Sequence, residues 1–233
     1  MRVLGVVPAR GGSKGVSQKN LAPLLGKPLL AYTALCAREA KRLDRIVLST
    51  EDEEIATVGQ EWGLEVPFLR PRELATDEAP TLGVLQHAIR ELESAGDQYD
   101  VVVTLQPTSP LRRPDDIDGA IGLLEETAAD SVVSLIETGG AHPLKMKVIT
   151  GDGLVEDAEY AQGMCHVPRQ NLPKYFALEG SLYVTRRDVL MGEGRILGRK
   201  TRAWVVPRQR SVNVDEPFDL WLAEVMLRDR PWE

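Results

Sequence analysis

The 233-residue chain carries 28 Lys and Arg against 35 Asp and Glu, a net charge of -7, with 43% hydrophobic residues. That length supports one substantial core, and the acidic balance excludes a protein whose main work is to grip nucleic-acid phosphates over a basic face. No apolar run approaches the roughly 18 residues of a membrane-spanning helix, and the run before Pro8 is too brief for a signal-peptide core, so a cytoplasmic protein with no membrane partner is expected.

In chain order, residues 3–7 form a short β-branched run that reads as a buried strand. Leu30, Ala34, Ala37 and Lys41 then mark one helical face. Further strand-like runs follow at 45–48, 101–105 and 131–136, and further helical faces at Leu85, Ala88, Ile89 and Leu92 and at Ile117, Ala120, Ile121 and Leu124. Strand followed by helix, repeated, implies a parallel sheet covered on both faces. From 137 to 179 the rhythm breaks into clustered Gly, Pro, His and Tyr, which reads as an insertion of hairpins and loops. Strand signals return at 181–185 and 204–206, and Pro217 opens a last helix with Leu220, Trp221, Val225 and Met226 inward. Cys36 and Cys165 offer neither a disulfide framework nor a zinc spacing and read as structural.

The first strand runs into Pro8-Ala9-Arg10-Gly11-Gly12-Ser13-Lys14-Gly15 and on to Gln18-Lys19-Asn20. Ligands of open α/β sheets bind beyond the carboxyl ends of strands, where this bend falls. Its glycines let backbone N–H groups approach an oxyanion, and Arg10, Lys14 and Lys19 supply cations for a polyphosphate. The bend is neither a Walker-type nor a dinucleotide-type glycine motif, and a solvated surface connection is the alternative reading.

These residues resemble the signature of the acylneuraminate cytidylyltransferases, the CMP-sialic acid synthetase family. The resemblance continues through Ile46-Val47-Leu48-Ser49-Thr50-Glu51-Asp52, Phe68-Leu69-Arg70-Pro71, Leu105-Gln106-Pro107-Thr108-Ser109-Pro110-Leu111-Arg112, His142-Pro143-Leu144-Lys145 and Pro168-Arg169-Gln170-Asn171-Leu172-Pro173, all in family order. It implies an α/β fold of Rossmann-like type, with a mostly parallel sheet and helices on both faces, as in nucleotide-diphospho-sugar transferases. The nucleotidyltransferase domain would occupy 1–136 and 180–233, with a small dimerisation subdomain and substrate lid at 137–179. The implied activity is transfer of CMP from CTP to the anomeric hydroxyl of a nonulosonic, sialic-acid-like sugar acid, with pyrophosphate released and Mg2+ as cofactor. A homodimer is implied, the insertion completing the neighbouring site.

The resemblance carries roles onto particular residues. Arg10 and Lys19 would hold the triphosphate and act in catalysis, with Gly11, Gly12, Ser13, Lys14 and Asn20 as further nucleotide contacts. Arg70, Pro80 and Thr81 match the part of the family that reads the cytosine edge, although Thr81 equally suits a helix cap. Gln106 and Tyr183 would face the sugar, with Lys145, Arg169 and Gln170 of the insertion near its carboxylate; a satisfied buried amide at 106 and a solvated charged surface in the insertion are the plainer readings. Asp215 would carry the metal and is a catalytic candidate, and it also suits an N-cap before Pro217. Two departures stand out: Asn213 replaces the first Asp of the family's Asp-x-Asp, and Glu179 stands where the family commonly shows Asn. Asn213 would still sit beside the metal on the same face as Asp215. His142 and His166 read as structural. A nucleotidyltransferase for another sugar such as 3-deoxy-octulosonic acid, and an inactive nucleotide-sugar-binding protein, are the competing functions.

Overall fold

The computed structural model describes residues 1–12, 15–161, 163 and 166–229; Ser13, Lys14 and Cys165 lie outside it, as does the side chain of Arg169. Six strands form the main sheet: β1 (Val3–Pro8), β2 (Arg45–Ser49), β3 (Val101–Leu105), β4 (Ser131–Glu137), β5 (Phe176–Arg186) and β6 (Thr201–Val205). Their order across the sheet is β6-β4-β5-β3-β1-β2. Pairing is parallel except at β5, which runs antiparallel to both β3 and β4.

Alternation along β1 explains why helices cover both faces. Val3 and Val7 point into one cluster with Leu30, Ala34 and Ala37 of α1 (Leu29–Glu39), Ile55 of α2 (Glu53–Glu61) and four residues of α4 (Pro114–Thr127). Leu4 and Val6 point the other way, onto Leu85, Ala88, Ile89 and Leu92 of α3 (Thr81–Ser94). Successive side chains of a strand face opposite sides, so a sheet buried on both must be apolar throughout. The third cluster joins Leu24, Leu29, Leu111, Val212 and Val214 to Ala223 of α5 (Pro217–Asp229).

Three expectations need correction. Lys41 is not in α1, which ends at Glu39, because the Lys41 and Arg42 amides turn to the Asp118 carboxylate. Strand β5 starts at Phe176, not 181, and passes straight through Gly180, whose φ of 87° accompanies a register shift against β4. Trp221 lies outward, 58% exposed beside Phe218, while Leu220, Leu222, Ala223, Met226 and Leu227 make the inner face of α5. Within 137–179, the one two-stranded hairpin of the described residues pairs Lys147–Ile149 with Val155–Asp157. Among the described residues no helix is long and apolar enough to cross a membrane.

A buried ion pair fixes the chain leading to α5. Arg210 meets Asp116 of α4 through both guanidinium nitrogens, with side chains only 11% and 5% exposed. Burial alone would raise the Asp116 carboxyl, but Arg210, the Arg113 amide and the Trp204 indole N–H together hold it below its ordinary value. Arg210→Met would strand this carboxylate, and chemical unfolding at pH 7 should show a loss of about 3 kcal/mol. A depressed native pKa stabilises the fold above the unfolded carboxylate's value, and that contribution disappears as pH falls through the native one; the gap between wild type and variant should close in the same window.

Candidate active site

Strand β1 has β2 on one side and β3 on the other, so the chain order reverses at the β1/β3 crevice. Open α/β sheets bind ligands at such a switch point, outside the carboxyl ends of the strands. A cleft of about 270 Å³ lies there, walled by Pro8 and Arg10 after β1, Lys19 and Asn20 beyond the bend, and Gln106, Pro107 and Thr108 after β3. Arg70, Leu74, Thr76, Asp77, Ala79, Thr81 and Val84 close the remaining side.

The bend is held by specific bonds. Asn20, 5% exposed, donates from Nδ2 to the Arg10 carbonyl at 2.9 Å, while its Oδ1 is buried without a partner. An orphan acceptor on a cleft wall is a place for a ligand donor. Two of the bend's glycines serve close packing rather than openness. A Cβ on Gly11 would overlap the Asp52 carboxylate, and one on Gly15 would overlap the Asp215 carbonyl oxygen, whereas Gly12 faces open space. The Gly11 N–H donates to Glu51 Oε1 at 2.8 Å, which corrects the expectation that it is free for an anion.

Each described cation of the bend meets a carboxylate. Arg10 pairs with Asp77 at 2.6 Å, and Lys19 Nζ lies 2.8 Å from Asp215 Oδ1. Val212 and Val214 are buried under α5, so the alternate residues Asn213 and Asp215 point out together, and the Val214 amide is anchored to the Thr108 carbonyl at 2.7 Å. Asn213 donates from Nδ2 to Asp215 Oδ2 at 3.1 Å and turns its oxygen to the Ser109 hydroxyl. The shared face agrees with the expectation, but the Asn213 oxygen is turned to Ser109 and not to a place beside the Asp215 carboxylate. Asp215 is not the cap of α5: Asp219 accepts from the Asp215 and Glu216 amides at 3.0 and 2.8 Å.

On the wall formed by the start of α3, Pro80 occupies the N-cap without a side-chain cap, and Thr81 faces the cleft. Gln106 is tied by its backbone, its carbonyl accepting from Thr33 and Arg112 and its amide donating to Ser181, which leaves the side chain at the cleft wall.

Of the described residues expected around the sugar, Gln106 lines this cleft, whereas Tyr183, Lys145 and Gln170 do not. Tyr183 is half-buried on β5, its phenol pushed up by burial and then by Glu179. Lys145 sits in the turn Pro143–Lys145, and Gln170 borders a separate hollow of about 350 Å³ with Glu137, His142 and Lys174. His142 is structural: Nδ1 accepts from the Leu144 amide and Nε2 meets the Pro173 carbonyl. Glu179 is 7% exposed and bonded to the Ser181 amide and hydroxyl, so its carboxylate is turned into the fold. Cys36 is buried, and burial raises its thiol.

Sequence reasoning missed Glu51, Asp77 and Thr108 as parts of this site. Thr108 and Glu51 lay inside the family-like segments without a role; nothing local to Asp77 marks it.

A family model described as cytidylyltransferase matches residues 4–149. The CMP-N,N'-diacetyllegionaminic acid synthase of Legionella pneumophila is 31% identical over 97% of each chain. A pseudaminic acid cytidylyltransferase of Campylobacter jejuni is 28% identical over 98% of this chain and 97% of its own. In fold, the chain is similar to CMP:2-keto-3-deoxy-manno-octonic acid synthetase complexed with CTP, with a TM-score of 0.73 at 18% identity over 99% of this chain and all of that one. With more than half of the chain matched by the family model and the Legionella relative aligned almost end to end, this protein belongs to the cytidylyltransferase family of nucleotidyltransferases.

Proposed function

We propose that this enzyme transfers CMP from CTP to the anomeric hydroxyl of a nonulosonic acid of the sialic, legionaminic or pseudaminic type. The oxygen of the sugar hydroxyl bonds to the α-phosphorus in line as its O–H bond breaks and the proton passes to water, the bond between that phosphorus and the bridging oxygen to the β-phosphate breaks, and pyrophosphate leaves. Such a transfer is driven by positioning and by charge stabilisation, with no covalent enzyme intermediate. The observation that carries the reading is the cleft at the β1/β3 switch point, where Arg10 and Lys19 flank a bend built for a polyphosphate.

Asp215 fits a divalent ion carried in on the triphosphate. Its carboxylate is 62% exposed beside Lys19, and among the described residues no group of three His, Cys, Asp or Glu could cage an ion alone. Mg2+ suits such a place, since it keeps several waters and binds through one or two carboxylates plus phosphate oxygens. When bound it would neutralise phosphate charge; Lys19 holds the leaving end, Arg10 the triphosphate, and Asn20 the shape of the bend.

A homodimer in the cytoplasm completes the proposal. The inserted hairpin leaves Ile149 76%, Val155 67% and Leu154 60% exposed, an apolar patch that a second copy would cover. The partner's insertion would then bring Lys145, Arg169 and Gln170 towards the sugar.

The test is pyrophosphate release with each nucleoside triphosphate against a panel of nine-carbon and eight-carbon keto-sugar acids. Turnover is expected to be fastest with CTP and a nine-carbon acid, with UTP a poor second. Preference for the eight-carbon acid would reassign the acceptor, and CTP binding without turnover on any acid would make the protein a binder. Sedimentation of the same preparation should give the mass of a pair.

A further inference from the structure

Glu51 stands in the turn between β2 and α2, and one carboxylate there reaches two walls of the cleft. Oε1 accepts from the Gly11 amide at 2.8 Å, and Oε2 accepts from Arg70 Nη2 at 2.7 Å. The Glu51 and Arg70 side chains are only 14% and 4% exposed. Both anchors are themselves constrained. Gly11 is pressed against Asp52, whose Oδ1 caps α2 by accepting from the Glu54 and Ile55 amides. Arg70 donates its backbone amide to the Thr50 carbonyl at 2.8 Å and its Nη2 also reaches the Ala9 carbonyl at 3.3 Å, while its Nε is buried without a partner.

We infer that Glu51 is a positioning residue that sets the distance between the phosphate-binding bend and Arg70, and so couples the grip on the triphosphate to the choice of base. The inference rests on the proposed nucleotide site, with Arg70, which lines the cleft, in the base-reading place that the family resemblance implies. A carboxylate is required because both partners are donors and one of them is a buried cation. Glutamine has one acceptor oxygen, so Glu51→Gln must abandon either Gly11 or Arg70 and leaves the guanidinium without its counter-charge. Aspartate keeps the charge and both oxygens but is one methylene shorter.

The experiment compares wild type, Glu51→Gln and Glu51→Asp in steady-state kinetics with CTP and UTP, in direct CTP binding and in thermal unfolding. For Glu51→Gln the KM for CTP is expected to rise roughly 10- to 100-fold, the loss of a buried charge-assisted bond. The kcat should change much less, and the preference for CTP over UTP should fall about tenfold by the same reasoning. Glu51→Asp should recover part of both. An unchanged CTP/UTP ratio with a lowered melting temperature would reduce Glu51 to a structural buttress and overturn the inference; if Glu51→Gln does not fold, the ratio in Glu51→Asp decides, and no change there also overturns it. Wild type is first run against all four triphosphates, so a wrong assignment of the base appears there, separately from the CTP/UTP ratio of the variants.

Discussion

Lys19→Gln is expected to cut kcat by roughly 10²- to 10³-fold, the loss typical of removing one preorganised donor from a developing negative charge. The side chain is 15% exposed and its ammonium reaches the open cleft from the turn Lys19–Leu21. Glutamine nearly keeps the length and loses the charge. The bend itself should survive, because Asn20 on the Arg10 carbonyl and Glu51 on the Gly11 amide hold it without the Lys19 side chain. Charge gathers on the departing pyrophosphate as the bond breaks, so in the proposed role the ammonium would contribute more in the transition state than in the bound CTP complex, and the loss should fall on kcat more than on KM. Stopped assays at saturating CTP and sugar would read this. A rise in KM with kcat intact would make Lys19 a binding group only.

Why Lys19 and Arg10 were legible while Glu51 and Asp77 were not follows from how each is placed. The bend is contiguous with the first strand, and a parallel sheet sends that strand's carboxyl end to the ligand side, so cations there have an address in the sequence itself. Glu51 reaches Gly11 across 40 residues of chain, and Asp77 reaches Arg10 from the far wall. Those meetings depend on how turns after different strands converge, which no local pattern encodes. The alternating burial of Val212, Asn213, Val214 and Asp215 was readable; the Asn213 amide turning its nitrogen to Asp215 was not. In the fold, the six strands and helices α1, α3, α4 and α5 followed from apolar period and end signals, whereas α2 did not, and the other errors cluster where a tertiary contact overrides the period. Gly180 signals a break by composition, yet β5 runs through it because β4 pairs with the strand on both sides of the glycine and β3 pairs with it beyond. Trp221 fits the inward stripe by spacing, but the inner face of α5 runs through buried Ala223, which clusters with Val212 and Val214, and Trp221 lies outward.

Asp215→Asn separates the two readings of the residue at the end of that layer. If the carboxylate receives the divalent ion, the substitution should lower kcat by about 10²-fold or more at ordinary Mg2+, by the same electrostatic argument, and move half-activation to higher Mg2+. Without metal the effect on nucleotide should reverse in sign. Asp215 holds Lys19 at 2.8 Å, and an uncharged amide there releases the ammonium and removes a like charge from the phosphates, so metal-free CTP should bind the variant at least as tightly as wild type. Stability should hardly move, since an ion pair with one partner 62% exposed contributes about 1 kcal/mol or less, and α5 is capped by Asp219. Calorimetric titration of CTP with and without Mg2+ measures the crossing directly. Equal weakening under both conditions, with a lowered melting temperature, would mean that Asp215 supports the chain before α5 and has no part in the metal's place.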